Sequence, residues 1–166
     1  MTTDERAKLL DDIRTEEIWV DEVSEELRSD RKILLEAVKY VDYALAYASD
    51  ELKCDREFVL EALKNDGFFS ALKYVSDELR CDREFALEAL KYGGIFSALK
   101  YASDELKGDR EIVFEAIKND EWALEYASDE LKSDRNFILE AVKNNADALE
   151  YVSDELKRSV KNVESL

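Results

Sequence analysis

The tetrad Ser-Asp-Glu-Leu occurs five times in this chain, beginning at Ser49, Ser76, Ser103, Ser128 and Ser153, at steps of 27, 27, 25 and 25 residues. In the first four copies a base, a small residue and Asp-Arg follow; the fifth loses its Asp-Arg. A weaker copy, Ser24-Glu25-Glu26-Leu27-Arg28-Ser29-Asp30-Arg31, precedes them. Self-similarity at a fixed period restricts the chain to a tandem-repeat architecture. A unit of 25–27 residues cannot bury its own apolar stripe, so it must stack on its neighbours.

Cys54 to Arg80 serves as the type unit. Its first half predicts a helix that starts at Asp55, whose carboxylate can accept from the free amides of the first turn. Asp30, Asp82, Asp109 and Asp134 are its counterparts. Phe58, Val59, Ala62 and Leu63 then fall on one apolar stripe, with Glu61 and Lys64 three apart on the exposed edge. Asn65-Asp66-Gly67 ends the helix. The second half predicts another short helix, with Leu72, Val75 and Leu79 as its stripe. Ala44, Ala71, Ala98, Ala123 and Ala148 share one position and suggest close helix approach. A tyrosine stands two residues before each tetrad, at 47, 74, 101, 126 and 151. These rings either pack between repeats or form an aromatic ladder, and their helical register favours packing.

The expected fold is therefore all-α: an α-solenoid of two-helix repeats over a single domain, residues 1–166, without proline. Residues 1–28 read as an N-terminal cap, 29–157 as the repeats and 158–166 as a C-terminal cap or tail. Leu9, Leu10 and Ile13, then Ile18, Trp19, Val23 and Leu27, form the degenerate first unit. No apolar run approaches the length of a membrane span, and Met1-Thr2-Thr3-Asp4-Glu5-Arg6 opens no secretory leader. The expected location is cytoplasmic, specialised export aside.

The net charge is −17, from 41 acids and 24 bases. Such a surface repels phosphates, so direct nucleic-acid or membrane-surface binding is disfavoured and a basic protein partner is favoured. The acids equally serve to keep a repeat array soluble. Cys54 and Cys81 occupy one repeat position, where other copies have Ser29, Gly108 and Ser133. Stacked helices lie roughly 10 Å apart, beyond disulfide reach, so both read as free thiols.

The sequence offers no catalytic constellation. It has no histidine, which removes the common nucleophile pairs and the usual zinc sites. Gly93-Gly94 lacks the residues of a phosphate loop. The Asp-Glu pairs recur once per repeat, whereas a catalytic site is singular. The expectation is a non-enzyme with no metal, no cofactor and no small-molecule substrate.

Binding specificity in a repeat array sits where the units differ, and here the link between the two helices differs most. The links carry Tyr40 and Tyr43, then Asp66, Phe68 and Phe69, then Ile95 and Phe96, then Asp120, Glu121 and Trp122. On one edge of the solenoid these aromatics, rimmed by acids, would suit a basic, partly apolar partner. Alternatively the large residues open the second helix and point inward.

The pattern Leu-Lys-x-Asp-Arg-Glu-Phe-x-Leu-Glu-Ala, followed by Ala-Leu-x-Tyr-Ala-Ser-x-Glu-Leu, resembles the short helical repeats of the domain-of-unknown-function family 4116, over about residues 18–157. The resemblance implies a helical repeat and transfers no catalytic residue. The expanded links around Gly67-Phe68-Phe69 and Gly93-Gly94-Ile95-Phe96 depart from even spacing. Two functions fit: a non-catalytic protein-binding scaffold or adaptor, or an acidic inhibitor that mimics nucleic acid and blocks a basic cleft on a nucleic-acid-handling enzyme.

Overall fold

The computed structural model describes residues 3–15, 24–41, 43–65, 71–92, 99–153 and 156–158, and among them there is helix and turn but no strand. Each repeat is built on one longer helix: Arg31–Ala37, Arg56–Asn65, Arg83–Ala89, Arg110–Asn119 and Arg135–Asn144. The expected N-caps form. Asp30 accepts from the amides of Lys32 and Ile33, Asp55 from Phe58, Asp82 from Phe85, Asp109 from Glu111 and Ile112, and Asp134 from Asn136 and Phe137. One or two of the first turn's free amide donors are thereby satisfied in every unit.

The stripe anticipated from the type unit is buried in every copy. Phe58, Val59, Ala62 and Leu63 have counterparts in Ile112, Val113, Ala116 and Ile117, and in Phe137, Ile138, Ala141 and Val142. Each longer helix packs on the next, and the helix Thr3–Arg14 packs on Arg31–Ala37. One continuous core results, running from Ile13 to Val152. Burying a side chain such as Phe58 or Ile138 contributes about 1.5–3 kcal/mol, and no single repeat could do so alone.

The second half of the repeat differs from the expectation of one helix. Leu72, Val75 and Leu79 are buried as anticipated, but the backbone is broken between them. A 3-10 turn, as in Ala44–Tyr47, Ala71–Tyr74, Glu121–Tyr126 and Ala146–Tyr151, is followed by a separate short α-helix, as in Asp50–Cys54, Asp77–Cys81 and Asp129–Ser133. Serine causes the break. Ser76 sits at φ −62°, ψ 157°, and its hydroxyl accepts from the Leu79 amide. Ser49, Ser103 and Ser128 do the same for Leu52, Leu106 and Leu131. A serine in this extended conformation caps a new helix and cannot continue the old one.

The break also joins repeats. The Ser49 amide donates to Arg28 O at 3.2 Å, Ser76 to Lys53 O at 3.1 Å, Ser103 to Arg80 O at 3.1 Å and Ser128 to Lys107 O at 2.9 Å. The shared alanine fits this close approach: Ala44, Ala123 and Ala148 are fully buried.

Candidate partner-binding face

The arginines of the first four Asp-Arg pairs reach across to the next repeat. Arg31 pairs with the capping Asp55 at 3.0 Å and with Glu61 at 2.9 Å. Arg56 pairs with Asp82 at 3.5 Å and Glu88 at 2.9 Å. Arg83 holds Asp109 at 2.7 Å and also Glu111, and Arg110 holds Asp134. Arg6 begins the series on Asp30. Each capping aspartate thus serves its own helix and the neighbouring arginine at once. Arg31 and Arg110 also lie over the Phe58 and Phe137 rings, at 5.5 and 5.0 Å. The sequence reading found the caps and missed the arginines. The signal was present, since arginine follows the cap at the same period.

Electrostatics agree with this geometry. Burial pushes the Asp109 carboxyl up, but Arg83 and the amides of Ile112 and Glu111 outweigh it and hold the group below its ordinary value. Asp134 is lowered by the Phe137 amide and by Arg110, against a smaller effect of burial. Of the Glu-Lys pairs expected within one helix, Glu36–Lys39 and Glu115–Lys118 form. Glu61 and Glu88 are instead held by arginines of the preceding repeat.

The tetrad acids have a different setting. Asp50, Glu51, Asp77, Glu78, Asp104, Glu105, Asp129 and Glu130 are all exposed. Their side-chain partners are local: Asp77 with Arg80, Asp104 with Lys107, Asp129 with Lys132, and Glu51 and Glu78 with the capping serines Ser49 and Ser76. They form a solvated row along the molecule. Cys54 and Cys81 lie beside it, exposed and free.

The link residues divide into three groups. Asp66, Phe68, Phe69, Ile95 and Phe96 lie outside the described residues. Tyr40 is 45% exposed and lines an open groove with Arg6, Leu10, Arg14 and Lys32 as well as Asp11 and Glu36, so its surroundings are electrically mixed. Tyr43 is half-buried and meets Tyr47 edge-on at 6.2 Å. Trp122 is 48% exposed, while Ala123 and Leu124 immediately after it are fully buried. Here, then, the largest link residue points outward rather than into the core. Asp120 is half-buried and accepts from the Trp122 amide, which fixes the start of the turn opened by Glu121. The Trp122 ring rests against Tyr151 of the next repeat, centroids 5.2 Å apart and planes tilted by 43°. Tyr40 and Trp122 stand on links separated by the two expanded ones.

The tyrosines before the tetrads, Tyr47, Tyr74, Tyr101, Tyr126 and Tyr151, are all half-buried against the core. That places them as packing residues with one accessible side. Among the described residues no group of three or more acids or cysteines could hold a metal ion. None of the described helices is long and apolar enough to cross a membrane.

The model of one protein family, described as "Domain of unknown function (DUF4116)", matches four times, at residues 20–53, 30–80, 55–107 and 109–157. The chain belongs to this family. The four matches overlap or abut as tandem units should, and together they cover residues 20–157 except Gly108, which takes in every Asp-Arg pair. No curated protein and no solved structure matches the chain.

Proposed function

We propose that this DUF4116 chain is a non-catalytic protein-binding module, a scaffold or adaptor, whose acidic and aromatic-dotted link edge takes a basic protein partner. The observation that supports it best is Trp122, an indole held half-exposed by a capped turn in the two turn segments Glu121–Tyr126 and Ala146–Tyr151, which contain acids but no base. An exposed aromatic fixed on a rigid scaffold is the residue type that anchors interfaces. The surplus of negative charge would steer a basic surface towards it.

The test is affinity capture from the source cell with wild-type and Trp122→Ala chains, followed by association kinetics on the captured protein. A basic protein held by wild type and weakened by the substitution supports the reading. Its association should slow between about 50 and 500 mM salt, as the Debye length falls well below 10 Å. Capture of acidic proteins only, or salt-independent association, would overturn it.

The regular row of exposed Asp-Glu pairs supports a second reading, mimicry of a nucleic-acid backbone against the basic cleft of a nucleic-acid-handling enzyme. Under that reading short duplex DNA would displace the chain from its captured partner. Under the adaptor reading it would not.

A further inference from the structure

The middle and C-terminal repeats treat one position in opposite ways. In the middle repeats the residue before the recurring tyrosine is lysine, and its ammonium lies over that ring: Lys73 is 5.4 Å from the Tyr74 centroid and Lys100 is 5.6 Å from that of Tyr101. In the last two repeats the same position is glutamate, Glu125 before Tyr126 and Glu150 before Tyr151. A position that carries a cation in the middle repeats carries an acid in both of the last two, next to the link that presents the exposed Trp122.

The local geometry collects these groups. Side chains three apart eclipse one another in a 3-10 turn. Glu125 therefore lies above Trp122 on the turn Glu121–Tyr126, and Glu150 above Asp147 on the turn Ala146–Tyr151. Asp147 occupies, one repeat on, the position of Trp122. All four side chains are exposed, and the two turns are in contact, with the indole resting on Tyr151. Lys132 and Lys157 reach these turns but donate to the backbone carbonyls of Glu125 and Glu150, at 3.5 and 3.0 Å, and not to the carboxylates.

We propose that Trp122, Glu125, Asp147 and Glu150 form a subsite for a guanidinium group, an arginine side chain on a basic segment of the partner. The inference rests on the basic-partner reading above and names where and how one side chain of that partner is held. A planar, weakly hydrated cation stacks on an indole face while its edge donates to carboxylates, which a lysine ammonium does less well.

The test uses the full chain carrying Trp19→Phe, so that Trp122 is its sole tryptophan. Hexa-arginine and hexa-lysine peptides are titrated at low and physiological salt, with indole emission and calorimetry as readouts. Hexa-arginine should perturb Trp122 emission and bind more tightly than hexa-lysine. Trp122→Ala should weaken hexa-arginine by roughly threefold to thirtyfold, and Trp122→Phe should keep most of the affinity. Glu125→Lys restores the residue of the middle repeats and should weaken binding at least as much. Glu78→Lys makes the same charge change on the distant tetrad row and should have a much smaller effect. Circular dichroism confirms that each variant is folded.

Equal losses from Glu125→Lys and Glu78→Lys, or unchanged affinity in Trp122→Ala, would overturn the subsite and leave the basic-partner reading standing. Equal affinity for the two peptides would overturn the assignment to arginine. Failure of wild type to bind either peptide even at low salt would overturn the basic-partner reading itself.

Discussion

Two rows of aspartates run along this molecule, one per repeat in each, and they have opposite roles. The aspartates of the Asp-Arg pairs are gripped from two sides, by the amides of their own helix and by the arginine of the preceding repeat. The aspartates of the Ser-Asp-Glu-Leu tetrads stand in solvent. Asp109 is 23% exposed and Asp104, five positions earlier, 102%. Residue type and period are the same, so neither decides the role. What differs is the position of the charge. An aspartate at the residue before a helix meets free amides, whereas an aspartate at the first residue of the helix is too far round to cap them. The first row caps the helices and links neighbouring repeats. The second sets its outward field.

The core beneath both rows supplies the reference for breaking this contrast. Leu99 is fully buried, and Leu99→Ala should cost about 2–5 kcal/mol in denaturant unfolding, more than any single change in either row. A smaller loss would mean that the solenoid depends on its polar ladder more than on its stripe. Next in size comes the capping row. Asp82→Ala removes the acceptor for the Phe85 amide and the partner of Arg56, and should cost about 1–2 kcal/mol. Arg56→Met leaves the cap and removes only the contact between repeats. About 0.5–1 kcal/mol is expected, since the ion pairs are partly exposed.

A pH titration sharpens the same contrast. The folded Asp109 carboxyl is held below its ordinary value of 3.8. A depressed carboxyl contributes stability that is present above the unfolded value and is lost as pH falls through the folded one. Asp109→Asn should therefore be less stable than wild type at neutral pH, and the gap should begin to narrow as pH falls below 3.8 and close only below the folded value. A gap that persists unchanged in acid would mean that ionisation of Asp109 is not what stabilises the cap. The smallest effect belongs to the tetrad row. Asp104→Asn with Glu105→Gln should change stability by only about half a kcal/mol. If this double substitution proves as damaging as Asp82→Ala, the exposed acids are structural partners and the two rows are one.

Much of this was legible in the residues. The period announced a solenoid, the aspartate before each apolar stripe announced a cap, and the stripe from Phe58 to Leu63 is buried in every copy. The division of the second half into a 3-10 turn and a separate short helix was less legible. Leu72, Val75 and Leu79 keep a helical spacing across the break, and only the extended backbone at Ser76 shows that the tetrad begins a helix rather than continuing one. At the candidate face, Trp122 was visible as a variable aromatic, but its direction was not. An apolar residue at a helix entry satisfies the periodicity whether it turns in or out.

The sequence by itself determined the repeat, the all-helical class, the caps and the excess of acid. Each of these is a local matter of spacing, propensity or composition. The tertiary structure decided which partner each charge meets and which aromatic is left uncovered. Arg83 finds Asp109 26 residues away, and Trp122 leans on Tyr151 rather than sinking beside Leu124, only because stacked repeats bring one unit's edge against the next. That juxtaposition depends on how far each unit rises and turns on its neighbour. It is set by the packing of buried side chains, and no single repeat encodes it.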